Sequence, residues 1–125
     1  RISFKIENYT SSKVNNKNFY MFNIEFMNKS RLSISINDLI FIDGENSYSI
    51  IKSPRLLAEK NTTRNREVIR HQEVHSTKFP INITGLTSEQ KFIVMYGPEK
   101  FENEIIKIII MTNRGKIKKK INRKI

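Results

Sequence analysis

Apolar residues alternate with polar ones at period two in one segment of this chain after another, and that spacing constrains the fold more than any other feature. Ile2, Phe4 and Ile6 flank Ser3 and Lys5, and Tyr20, Phe22, Ile24 and Phe26 stand against Asn23 and Glu25. Leu32, Ile34 and Ile36 repeat the pattern, as do Phe79, Ile81 and Ile83, and then Phe92, Val94 and Tyr96. Residues two apart share one face of a strand, whereas a helix needs apolar positions three and four apart. The runs end in turn formers: Asn28-Lys29-Ser30, Asp43-Gly44-Glu45-Asn46, Gly85 to Glu89, and Gly97-Pro98. Isoleucine is abundant and Ala58 is the only alanine, a bias toward the branched side chains that suit a pleated surface.

The other segments fill in this pattern. Leu39 to Ile42 and Tyr48 to Ile51 read as strands on either side of the Gly44 turn. Glu104 to Thr112 is apolar on both faces apart from Lys107, as expected of a central strand. Asn113-Arg114-Gly115 is a hairpin signal, with residues 116–125 as the return strand. Asn8 to Lys17 is polar and reads as a loop, as does Asn61 to Arg66. Glu67 to Val74 reads as a strand, because Val68, Ile69 and Val74 build no helical stripe. The single helical signal is Ser53 as a cap with Pro54 in the first position, followed by Arg55 to Lys60. It predicts one or two turns bridging two sheets.

Eight or nine short strands with one short helical turn, in 125 residues, predict a single all-β domain over residues 1–125. The expected architecture is an immunoglobulin-like antiparallel β-sandwich, with a barrel as the alternative. Antibody domains carry a Cys pair and a Trp, and this chain has neither. The expectation therefore rests on strand number and spacing.

The formal charge is +11, which points toward a polyanionic partner. Codon bias accounts for part of it: Ile, Lys and Asn supply 50 of the 125 residues, and all three have A/T-rich codons. The charge is concentrated at the C-terminus, where residues 116–125 contribute six cations and no acid. On a strand Lys116, Lys118, Lys120 and Lys124 share one face, with Ile117, Ile121 and Ile125 on the other. With Arg114 they form the candidate binding site, for nucleic acid or anionic lipid. The competing reading is an edge strand whose lysines block sheet-to-sheet aggregation. No aromatic residue lies in this stretch, and single-strand nucleic-acid readers stack bases on aromatics.

Catalysis finds little support. There is no cysteine, no Gly-rich phosphate loop among only four glycines, and no serine in a G-x-S-x-G setting. His71 and His75 would share an ion, with Glu67 or Glu73, only on a helix; on a strand their Cα atoms lie about 13 Å apart. Asp38, Asp43 and Glu45 lie near one turn without the spacing of a calcium loop. No catalytic residue, metal site or small-molecule cofactor is expected, and a protein partner is the leading expectation.

Phe22 to Ser30, Leu32 to Ile36, Phe79 to Ile83 and Thr112 to Gly115 together resemble uncharacterised small proteins of low-GC Gram-positive bacteria and their mobile elements. The resemblance implies a sandwich domain preceded by a membrane segment, with the present chain as a fragment that starts after it. Arg1 and Lys5 would then favour the cytoplasmic side by the positive-inside tendency. The expected role is a non-enzymatic interaction or structural module, membrane-associated through that segment.

Overall fold

In the computed structural model, which describes residues 2–123, β1 (Ile2–Val14) and β2 (Lys17–Asn28) form a long antiparallel hairpin. Its turn is Asn15-Asn16, both at positive φ, a conformation that asparagine tolerates better than most residues. β1 thus runs through most of the segment predicted as a loop. The polar residues from Thr10 to Lys13 are exposed on an edge strand, where backbone pairing with β2 needs no apolar side chains.

β3 (Ile34–Asp43) and β4 (Asn46–Ser49) form the next hairpin; β5 (Leu56–Arg64) and β6 (Glu67–His75) form another. β7 (Ile81–Ile83) and β8 (Ser88–Gly97) follow, and β9 (Ile105–Thr112) with β10 (Gly115–Asn122) close the described chain. One sheet has the order β1-β2-β8, and the second has β10-β9-β3-β4 with β7 pairing the start of β3. Every pairing is antiparallel. The protein is an all-β sandwich, as the alternation predicts.

The predicted faces meet between the two sheets. Tyr20, Phe22, Ile24 and Phe26 of β2 are buried against Phe41 of β3 and Ile106, Ile108 and Ile110 of β9. The rings of Phe22 and Phe41 lie 4.7 Å apart across the interlayer, inside the range where aromatic pairs add to burial. Hydrogen-bonded links close both flanks. Beyond β4 the chain leaves the second sheet: Ile50 bridges Met95, and the Ile51 N–H donates to the Val94 carbonyl at 2.8 Å. At the opposite flank the Tyr9 hydroxyl donates to the Arg123 carbonyl at 2.6 Å.

Two loops are held by polar contacts. Asp43, 1% exposed, accepts hydrogen bonds from the backbone N–H groups of Glu102 (2.6 Å) and Asn103 (3.0 Å) and from Asn103 Nδ2 (2.6 Å). Gly85 backs directly onto the β2–β3 loop, where a Cβ would stand 2.1 Å from the Arg31 carbonyl oxygen.

The helical turn expected over Ser53–Lys60 is not formed; Leu56–Arg64 is strand β5. Leu56, Leu57, Ala58, Glu59 and Lys60 are good helix formers, but propensity is worth only tenths of a kcal/mol per residue. A register with β6 from Leu56↔His75 to Arg64↔Glu67 outweighs it. The loop predicted over Asn61 to Arg66 shrinks to the turn Asn65-Arg66, again at positive φ. Among the described residues β5 and β6 pair only with each other, and they form an arm whose residues are exposed apart from half-buried Leu57. At its base the Ser76 N–H donates to the Arg55 carbonyl and the Arg55 N–H to Ser76 Oγ, both at 2.8 Å.

Candidate functional site

The lysines singled out from the sequence fall on β10, the edge strand of the second sheet. Lys116, Lys118 and Lys120 are exposed and alternate with Ile117 and Ile121, which pack against the core. Lys124 lies outside the described residues. Arg114 is drawn elsewhere: its Nη1 donates to Ser30 Oγ at 3.2 Å and its Nη2 to the Ser33 carbonyl at 3.0 Å. It fastens the β9–β10 turn to the β2–β3 loop and does not join the lysine row.

Strand register adds a residue that the sequence reading left out. Lys116, Lys118 and Lys120 stand opposite Met111, Ile109 and Lys107 of β9. In turn Met111, Ile109 and Lys107 stand opposite Asp38, Ile40 and Ile42 of β3. Ile106, Ile108 and Ile110 point into the core, so these partners face outward. The outer face of the sheet therefore carries four exposed lysines beside a half-buried aliphatic floor of Ile40, Ile42, Ile109 and Met111. Ile42, Lys107, Ile109, Lys118, Lys119 and Lys120 line a depression there.

Carboxylates are nearly absent from these rows. Asp38 is the exception, and it is engaged: its Oδ2 lies 3.1 Å from Lys52 Nζ and its Oδ1 accepts the Leu39 N–H. The other ion pairs between described residues, Lys5–Glu7 and Lys91–Glu89, lie off this face, as does the contact between His71 and Glu73. Asp43 points inward to its three donors. Burial alone would raise its pKa, but those hydrogen bonds and the nearby Arg123 guanidinium hold the carboxyl below its ordinary value of 3.8. Asp38 and Asp43 thus have separate partners.

No aromatic side chain lies on the outer rows of β3, β9 and β10. The face can therefore neutralise phosphates and place aliphatic side chains against an apolar layer, but it offers no ring on which a base could stack. Comparison with protein-family models, with curated proteins and with solved structures gives no match. Function therefore has to be argued from the face itself.

Proposed function

We propose that this domain is a binding module whose outer sheet face, Lys107, Lys116, Lys118 and Lys120 around Ile40, Ile42, Ile109 and Met111, seats on an anionic bilayer surface. The observation that carries this reading is four lysines on two adjacent strands with an aliphatic floor beside them. Each lysine held near an anionic surface contributes about 1 kcal/mol. Four contribute about 4 kcal/mol, equivalent to a dissociation constant on the order of 1 mM. Such an affinity suits a domain already held close to the membrane, which is the arrangement that an upstream membrane segment would create. Aliphatic rather than aromatic neighbours favour lipid over nucleic acid.

The strand order supports the immunoglobulin-like class. One sheet takes the first two strands and β8; the other takes β3, β4 and the final hairpin, with β9 beside β3. That is the distribution of strands in an immunoglobulin-type sandwich carrying one extra edge strand, with the β5–β6 arm as an insertion.

Co-sedimentation tests the bilayer reading. The domain should pellet with phosphatidylglycerol-containing vesicles and not with phosphatidylcholine vesicles, and release as NaCl rises. The variant with Lys107, Lys116, Lys118 and Lys120 all changed to Gln should stay in solution. Equal pelleting by that variant, or binding to duplex DNA or RNA without binding to vesicles, would overturn it.

A second contact, with a protein, is supported by the arm. Val68 and Ile69 are 58% and 60% exposed, and neither strand pairs with the sandwich. Isolated two-stranded hairpins are marginally stable in water, and their open edges accept a further strand. Capture of a partner by the whole domain but not by one lacking residues 56–75 would place the contact there; equal capture would move it off the arm.

A further inference from the structure

We infer that one face of the β5–β6 arm is a divalent transition-metal site, with Glu59, His71 and Glu73 as ligands. Glu59 stands directly opposite Glu73 on the ladder, and Asn61 directly opposite His71. One donor atom from each of Glu59, His71 and Glu73 can be chosen so that all lie within 4.8 Å of one another. The three come from two strands, and the sequence placed Glu59 on a helix, so the set could not be assembled from spacing.

Three further observations point to a cation. The first is charge. Two carboxylates facing each other across a ladder repel, and neither Lys60 nor Arg70 relieves them. Lys60 pairs with Gln72 and Arg70 with Thr62, which puts both cations on the opposite face of the arm.

The second is the orientation of the imidazole. His71 Nδ1 is hydrogen-bonded to Asn61 Oδ1, and an amide oxygen only accepts, so Nδ1 carries the proton. The other ring nitrogen, Nε2, then lies 3.6 Å from Glu73 Oε2. Nε2 and a carboxylate oxygen are thus neighbouring atoms that one metal ion can ligate together. A ligating histidine typically donates its second N–H to a carbonyl oxygen, which is the role Asn61 takes here.

The third is distance. Four tetrahedral bonds of about 2.1 Å put ligand atoms roughly 3.4 Å apart, so the His71–Glu73 separation is already close to that of a bound pair. One imidazole and two carboxylates suit zinc better than calcium or magnesium, which favour all-oxygen shells. Water can complete the coordination, because all three side chains are exposed. His75 lies four residues along the same strand, too far from His71 to share the ion.

The site is independent of the lysine face. Isothermal titration calorimetry with zinc chloride on the whole domain tests it, with circular dichroism to confirm that each variant is folded. One zinc ion per chain should bind, calcium chloride should give no binding heat, and Glu59→Gln and His71→Ala should each weaken zinc binding by roughly tenfold or more. His75→Ala should bind as the parent does. The inference fails if the parent domain gives no one-to-one isotherm. It also fails if Glu59→Gln or His71→Ala binds as the parent does, or if His75→Ala abolishes binding.

Discussion

Lys107 and Lys120 stand directly opposite each other on the β9–β10 ladder, both exposed. Like charges in that position oppose strand pairing, so the contact costs stability and its value lies elsewhere. Changing Lys120 to Gln should raise stability by roughly 0.2–1 kcal/mol in urea unfolding at low salt. The gain should shrink in 0.5 M NaCl as screening takes over. The same variant should pellet less with anionic vesicles, which separates a binding role from simple edge protection.

Arg114 provides the contrast. Its guanidinium is committed to Ser30 and Ser33, so Arg114→Ala should leave vesicle binding unchanged. Loss of two exposed hydrogen bonds should lower stability by about 1 kcal/mol, visible as a small fall in Tm.

Asp43 should matter for folding and for its pH dependence. Asp43→Ala leaves two backbone N–H groups beside the buried site without their acceptor and should cost about 3 kcal/mol. Because the folded state holds the Asp43 carboxyl below 3.8, its contribution is complete above about pH 4 and disappears as pH falls through the lowered value. The stability difference between the parent and Asp43→Asn should therefore narrow from pH 5 to pH 2 in denaturant titrations.

Gly85→Ala should be among the most damaging single-methyl additions. The new carbon would meet the Arg31 carbonyl at 2.1 Å, and the clash is with backbone rather than with a side chain that could swing away. A loss of about 1–3 kcal/mol is expected from chemical denaturation.

Removal of the arm should be tolerated. Joining Arg55 to Ser76 through a short Gly-rich turn keeps the two hydrogen-bonded residues at its base and discards residues that bury almost nothing. Thermal unfolding followed by circular dichroism should show a Tm within a few degrees of the parent.

What was legible in the sequence follows where side chains are sorted by a core. Tyr20 to Phe26 alternates because every second residue is buried, and the pattern names the strand and its inner face. The same test fails for Thr10 to Lys13 and for Leu56 to Arg64, which are held by backbone pairing and contact almost no core. There the helix-forming residues from Leu56 to Lys60 carried a local preference that the β6 register overrode. The lysines of β10 were legible as a stripe. Lys107 was not, because it reads as a flaw in an apolar run until pairing is considered. The signal was nonetheless present: a hairpin turning at Asn113-Arg114 sets residue 107 against residue 120.

The links at the two flanks of the sandwich have a mechanical consequence. With Ile50 tied to Met95 through the backbone on one side and the Tyr9 hydroxyl to the Arg123 carbonyl on the other, sliding of one layer past the other in shear breaks a hydrogen-bonded link at a flank. The outer face is thereby fixed to the layer behind it, and on the proposed bilayer reading its lysines would meet a surface as one unit.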